Sequence, residues 1–136
     1  MLEDGEFQEL SIDERIAVIE RILSDIKGRM MEDVVLLETK IANPKKQVFQ
    51  LQFAFGEFDM VVADNTNATC EIYEVKNRKE QAKEQYRHLI DEEKLKSTEF
   101  RYGKITKKVV IYHGENTTLE NGIEYRNVEE YLKSLV

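Results

Sequence analysis

The stretch FDMVVADNTNATCEIYEVK, residues 58–76, carries the strongest fold signal in the chain. Residues 58–63 and 71–76 are short runs rich in β-branched and aromatic residues, which are typical of strands. The polar residues 64–67 between them have the composition of a turn. A link this short joins antiparallel strands, so we expect a hairpin here.

Three charged residues in this hairpin point to chemistry. Asp59 interrupts an apolar run that a strand would normally bury, and Glu74 and Lys76 point to the same sheet face because side chains alternate along a strand. If the strands pair through the turn, Asp59 lies beside them. Two carboxylates can hold a hard cation such as Mg²⁺, and a neighbouring lysine can orient an attacking water or stabilise transition-state charge. The competing interpretation is three solvent-facing side chains on a half-exposed sheet.

Upstream, the pattern predicts two helices and another strand. Ser11 has the position of an N-cap, with a glutamate three residues later. Apolar residues then recur at helical spacing: Ile16, Ile19, Leu23 and Ile26. Gly28 is expected to end this helix, and residues 30–39, which contain the run VVLL, predict a second and well-buried helix. After a turn at the only proline, residues 48–55 alternate as a strand does.

Downstream, the pattern predicts a long charged helix, two strands and a closing helix. They span residues 80–96, 109–112, 123–125 and 128–135, and Asn127 is the expected N-cap of the last. Residues 114–121 are expected to form a loop. Together the elements predict an α/β sandwich around a mixed central sheet that includes an antiparallel meander and is flanked by helices.

Composition limits the class of protein. Of 136 residues, 41% are hydrophobic and 35% charged, which excludes a mostly disordered chain and predicts one domain over residues 1–136. No apolar run approaches the ~20 residues of a membrane span, and the acidic residues 1–6 lack the core of a signal peptide. Cys70 is the only cysteine, so we expect a cytoplasmic protein without a disulfide. The chain has no GxxxxGK[ST] phosphate loop.

Charge is distributed unevenly. The formal net charge is −7, but residues 76–108 contain 11 basic and 6 acidic residues and are therefore locally basic. The usual interpretation of such a run is a solvated helix face, and the alternative is a phosphate-binding surface. The negative total argues against bulk attraction to nucleic acid.

The remaining residues of functional type have structural interpretations. His88 is expected on the surface or partly packed on the long helix, and His113 is expected to be structural after a strand. Cys70 is interpreted as a small buried apolar residue, and Tyr73 and Tyr112 as core residues.

The order of these motifs resembles the PD-(D/E)XK nuclease-like superfamily. In that family a helix with a glutamate precedes a β-meander that carries Asp and Glu-x-Lys, and a helix and a further strand follow. Asp59, Glu74 and Lys76 match the core motif, and Glu32 matches the helix glutamate. Phe58 stands where the family has a proline.

The resemblance implies a restriction-endonuclease-like sandwich with its core at residues 28–135 and an N-terminal helical extension at residues 1–27. It also implies a divalent-metal-dependent nuclease-like domain that acts on nucleic-acid phosphodiesters. Glu32, Asp59 and Glu74 would hold Mg²⁺ or Mn²⁺, and Lys76 would position the nucleophile. The expected phosphate contacts nearest this site are Arg78, Lys79 and Lys83.

Within the superfamily, the chain is most similar to the C-terminal domain of unknown function on bacterial and archaeal P-loop ATPases. The Gly-Ile strand at Gly122 and the short Leu-rich final helix match that ending. This likeness implies a P-loop ATPase domain or protein as a partner. Some members also carry a glutamine on the helix after the Lys strand. In this chain either Gln81 or Gln85 matches that glutamine. The alternative function is a catalytically silent regulatory or protein-interaction domain, which the net charge favours.

Overall fold

Six strands and four helical segments make up residues 10–136, the part of the chain that the computed structural model describes. They are α1 (Ile12–Ala42), β1 (Gln47–Gln52), β2 (Glu57–Asp64), β3 (Thr69–Val75), a 3₁₀ helix (Lys83–Ile90), α2 (Glu92–Tyr102), β4 (Lys104–Tyr112), β5 (Thr117–Thr118), β6 (Glu124–Asn127) and α3 (Val128–Ser134). The acidic residues 1–6 lie outside this part. None of its helices is long and apolar enough to cross a membrane.

The strands form one mixed sheet in the order β1-β2-β3-β4-β6-β5. The pairs β1–β2 and β2–β3 are antiparallel, so the predicted meander is confirmed. The pairs β3–β4 and β4–β6 are parallel, and the short edge strand β5 runs antiparallel to β6. The predicted α/β class with a mixed sheet is therefore confirmed.

Helices cover both faces of the sheet. On one face the 3₁₀ helix buries Tyr86 and Leu89 against the sheet. On the other face α1 contributes Val35, and α3 contributes Val128 and Tyr131. The central strands are buried on both sides, which explains why β2 is an almost continuous apolar run instead of an alternating one.

The predicted helix break at Gly28 is wrong, because α1 runs unbroken for 31 residues. A glycine inside a helix costs about 1 kcal/mol relative to alanine but removes no backbone hydrogen bond, so the flanking turns carry the helix through it. The expectation that residues 30–39 are well buried is also wrong. Val35 and Thr39 face the sheet, whereas Val34 and Leu37 are 45% and 56% exposed.

The predicted long helix at residues 80–96 is wrong as well. The chain stays non-helical to Ala82, forms the 3₁₀ helix, and starts α2 after Asp91. The Asp91 carboxylate accepts hydrogen bonds from the backbone N–H groups of Glu93 and Lys94, so it acts as an N-cap that separates the two segments.

The other caps and strands are closer to expectation. Ser11 accepts from the backbone N–H of Glu14, and Asn127 caps α3, so both predicted N-caps are confirmed. β1 ends at Gln52, before the predicted limit at residue 55. β4 begins at Lys104, earlier than predicted, because its parallel pairing with β3 starts at Thr69 opposite Lys104. The predicted loop at residues 114–121 contains β5.

Candidate metal centre

Asp59 lies in a β-bulge of β2. β1 and β2 pair at Phe49–Val61 and again at Leu51–Phe58. Between these two pairs lies one residue of β1 but two residues of β2, Asp59 and Met60. The β2–β3 ladder ends at the pair Met60–Tyr73, immediately before Asp59. Beyond that pair, the backbone N–H of Val75 donates to Oδ2 of Asp59 at 2.7 Å instead of to a β2 carbonyl. The carboxylate therefore lies where β2 and β3 separate.

Glu74 is opposite Asp59 on β3 and is almost completely buried, with 2% exposure. Its Oε2 lies 3.5 Å from Nζ of Lys76, whose side chain is 35% exposed. Its Oε1 is buried and has no hydrogen-bond partner among the described residues. A buried acceptor without a donor is costly, so this oxygen is suited to a cation or a proton.

These side chains line an open cleft of about 460 Å³. Its walls are formed by Glu32, Gln52, Phe53, Gly56, Glu57, Asp59, Glu74, Lys76 and His88. Glu32 comes from α1, which packs on one face of the sheet, and His88 comes from the 3₁₀ helix on the other. The cleft thus forms at the end of the sheet where β2 and β3 separate, and both layers of helices reach it.

Burial and mutual repulsion of the carboxylates shift their protonation. Burial, together with the negative charge of Asp59, raises the pKa of Glu74 to about 9. Burial also raises the pKa of Glu32 to about 7, with repulsion from Asp59 and Glu57 adding to it. The pKa of Glu57 is raised by the same two causes. Lys76 opposes these shifts but does not cancel them, so without another cation the cleft retains protons at neutral pH.

A divalent cation is the natural replacement for those protons. Within residues 10–136, no three His, Cys, Asp or Glu side chains are already arranged as a ready-made metal-ligand group. The donor set nevertheless fits a hard cation, because it consists of carboxylate oxygens and includes the unpartnered Oε1 of Glu74. The carboxylates of Glu32, Asp59 and Glu74 would have to close on the ion, and Glu57 adds a further carboxyl group to the cleft lining.

The sequence interpretation did not assign Glu57 or His88 to this site. Glu57 stands two residues before Asp59 in the same strand, so strand spacing was a usable signal. His88 had no such signal, since its place depends on the 3₁₀ helix and on Gly56, whose φ is +87°. A Cβ on Gly56 would lie 2.4 Å from Cε1 of His88, so only glycine lets the ring pack there.

The imidazole of His88 is held neutral. Nδ1 of His88 lies 3.2 Å from Nζ of Lys94. Partial burial and the positive charges of Lys94 and Arg87 lower the pKa of His88. A neutral ring whose Nδ1 faces an ammonium accepts at Nδ1 and carries its proton on Nε2.

Other residues expected near the site are elsewhere. Gln81 donates to the Tyr112 hydroxyl, and Gln85 accepts from the Tyr125 hydroxyl, so both glutamines have structural partners and neither lines the cleft. The cations expected to contact phosphate are exposed, and none of them lines the cleft: Arg78, Lys79 and Lys83. The carbonyl of Arg78 accepts a hydrogen bond from the backbone N–H of His113, which follows the end of β4. Cys70, Tyr73 and Tyr112 are buried, as expected.

The locally basic segment does not form one surface. Lys104 pairs with Thr69 at the start of β3, whereas Lys76 follows the end of that strand. Seven residues of strand place these ends roughly 20 Å apart. Lys76 and Lys94 are therefore at or next to the cleft, the second through its contact with His88, whereas Lys104 is at the far end of the sheet.

Comparison with protein-family models, with curated proteins and with solved structures finds no match to this chain.

Proposed function

We propose that the chain is a divalent-metal-dependent nuclease-like domain with the PD-(D/E)XK sandwich, acting on nucleic-acid phosphodiesters. The observation that carries the proposal is the placement of Asp59 and Glu74 at the separation of β2 and β3, beside Lys76. The unpartnered Oε1 of the buried Glu74 supports a cation in the cleft. The layers of helices on both sheet faces support the sandwich.

In this proposal Glu32, Asp59 and Glu74 hold Mg²⁺ or Mn²⁺, directly or through water. The bound ion supplies an acidified water and charge stabilisation for the phosphate. Lys76 keeps its ammonium beside Oε2 of Glu74 and orients the attacking water or offsets negative charge in the transition state. The bulge at Asp59 and its bond to Val75 fix one carboxylate, which reduces the reorganisation that metal binding requires.

Substrate binding depends on the same ion. Even with Glu74 protonated, three further carboxyl groups outnumber the one lysine of the cleft, so the metal-free cleft does not attract a phosphate. Arg78 and Lys79 come two and three residues after Lys76 and are exposed, so in this proposal they contact the phosphates that flank the cleaved bond. Nucleic-acid binding should therefore require the divalent cation.

The second candidate is a catalytically silent regulatory or protein-interaction domain with the same fold. The net charge of −7 favours it, as does the lack of a ready-made ligand group in residues 10–136. Either function is compatible with a role as an accessory domain of a P-loop ATPase in the cytoplasm.

A Mn²⁺-supplemented digestion of mixed single- and double-stranded DNA and RNA separates the two candidates. Lys76→Ala should lower metal-dependent cleavage by about 10² or more, while Lys104→Ala, at the far end of the sheet, should leave it unchanged. Equal cleavage by the wild type and Lys76→Ala would identify a contaminating nuclease and refute the mechanism. No cleavage by any of the three proteins would favour the silent domain.

Affinity gives an independent test of the phosphate contacts. Arg78→Ala and Lys79→Ala should weaken binding of oligonucleotides in the presence of Mn²⁺ and should flatten its salt dependence, since each phosphate contact releases counterions. Lys76→Ala should change the cleavage rate much more than the affinity. Salt-independent binding would contradict this assignment of the two cations.

A further inference from the structure

The first half of α1 presents an apolar stripe to solvent. Its six side chains are between 46% and 70% exposed: Ile12, Ile16, Ile19, Leu23, Ile26 and Met30. At 3.6 residues per turn, all six lie within about 40° of one line along the helix. An unbroken stripe of large aliphatic side chains on a surface is an interaction site and not a normal scatter of single residues.

The stripe points away from the protein's own core. Val35 and Thr39, which pack on the sheet, lie on the opposite side of the same helix. The nineteen residues 12–30 span about 28 Å, and with a helix diameter of about 10 Å the stripe covers on the order of 300 Å². This size is within the range of the largest patch on a typical monomer, which is often functional.

The spacing of the stripe is that of a coiled-coil seam. The intervals between its members alternate four and three residues, which is a heptad repeat. Ile16, Leu23 and Met30 occupy the a positions. The d positions are all isoleucine: Ile12, Ile19 and Ile26.

The charged residues beside the seam indicate which partner fits it and in which direction the partner's helix runs. Arg15 is at a g position and Glu20 is at the e position of the next heptad, so two parallel copies in register place opposite charges together on both sides of the seam. An antiparallel pair with the same apolar layers would instead oppose Arg15 to Arg29 and Glu20 to its own copy, and its one attractive pairing would be Asp13 with Lys27. A parallel second copy of this chain is therefore the complementary occupant.

The repeat also shows where the contact ends. Exposed apolar residues continue along the same line at Val34, Leu37 and Ile41, but the step from Met30 to Val34 is four residues after another step of four, which breaks the heptad spacing. In a parallel pair the flanking positions there are Asp33 and Glu38, which repel each other. The regular heptad contact is therefore expected to end at Met30, where α1 begins to pack on its own sheet.

We propose that residues 12–30 of α1 form a parallel coiled coil with the same segment of other copies of this chain. Isoleucine at every d position, with leucine among the a positions, favours more than two strands. Glu32 follows the seam by two residues but faces the sheet side of the helix with Thr39, so association leaves the cleft open. The clefts of the copies would then be held at a fixed spacing.

Sedimentation equilibrium of the full chain over a wide concentration range tests the proposal. The wild type should show a mass that is a multiple of 16.0 kDa. The double variant Ile19→Asp, Leu23→Asp should sediment as a monomer, and the control Ala17→Asp, Ser24→Asp, with the same charges on the other side of the helix, should stay associated. A wild-type mass of 16.0 kDa throughout, which a foreign helical partner would also give, overturns the proposal. So does association that persists in Ile19→Asp, Leu23→Asp.

Exchanging the charges of Arg15 and Glu20 tests whether the helices of the coiled coil are parallel. Arg15→Glu and Glu20→Arg should each weaken association about tenfold, and the double exchange should restore it. Arg15 and Glu20 are five residues apart on the helix, so restoration arises between chains and not within one. Stronger association of Arg15→Glu would identify the antiparallel arrangement and overturn the parallel one.

Discussion

Glu74→Gln should stabilise the metal-free protein, and the gain should grow with pH. The pKa of Glu74 is raised from 4.5 to about 9 in the folded protein. Glu74 therefore costs no stability below pH 4.5, and it destabilises the fold progressively as the pH rises from there through 9. At pH 7, which lies above the ordinary pKa of 4.5 but below the pKa in the folded protein, this costs about 3 kcal/mol. Glutamine keeps the shape and carries no charge to bury.

Urea unfolding in EDTA at pH 5, 7 and 9 measures this effect. The difference in the free energy of unfolding between the variant and the wild type should be small at pH 5 and approach about 3 kcal/mol at pH 7. Glu120→Gln, on an exposed loop, is the matched control and should not change the pH dependence. In a separate series without EDTA, Mn²⁺ at about 100 times its dissociation constant should stabilise the wild type by about 2.7 kcal/mol and the variant much less. The reasoning would be refuted if the free energy of unfolding depended on pH in the same way in Glu74→Gln and in the wild type.

Two further predictions concern the cleft. Gly56→Ala and Gly122→Ala both place a side chain at φ +87°, and we expect each to cost about 1–2 kcal/mol in thermal or urea unfolding. The loss should be larger for Gly56→Ala, because its Cβ would lie 2.4 Å from Cε1 of His88, whereas a Cβ on Gly122 would have no atom within 4 Å. Equal losses would show that the contact with His88 does not affect stability. Asp59→Asn should keep the hydrogen bond from Val75 but lower Mn²⁺ affinity about tenfold or more in calorimetry, and unchanged affinity would exclude Asp59 as a ligand.

Strand spacing was enough to bring several site residues together. Glu74 and Lys76 share a face because side chains alternate along β3, and Asp59 was recognisable as a polar residue in an apolar strand. The role of its bulge was not recognisable, because the extra residue appears only when β2 is aligned against β1. Local sequence does not contain the register of a non-local pairing.

The helices show why burial was harder to predict than secondary structure. The run VVLL at residues 34–37 is apolar all round, and only tertiary packing decides that Val35 is buried while Val34 and Leu37 face solvent. The sequence predicts a helix break at Gly28, but the turns on either side outweigh one unfavourable residue. The position of His88 likewise depends on contacts with Gly56, which is distant in sequence.

Helix α1 carries the exposed stripe and also contributes Glu32 to the cleft. We expect association through the stripe and metal binding in the cleft to be independent of each other. Residues 12–30 carry the stripe, while Glu32 begins the part of α1 that faces the sheet and the cleft. Ile19→Asp, Leu23→Asp should therefore leave Mn²⁺ affinity unchanged even where it abolishes association. A loss of both properties together would show that the cleft depends on the assembly.

The position of Mn²⁺ in crystals of the wild-type protein tests the metal centre most directly. Anomalous diffraction at the manganese edge locates the ion independently of the protein atoms. We expect one strong peak between the carboxylates of Asp59 and Glu74, with oxygen distances of about 2.1 Å and with Glu32 in the first or second coordination sphere. No peak in the cleft at saturating Mn²⁺, with Oε1 of Glu74 still lacking a partner, would contradict the account.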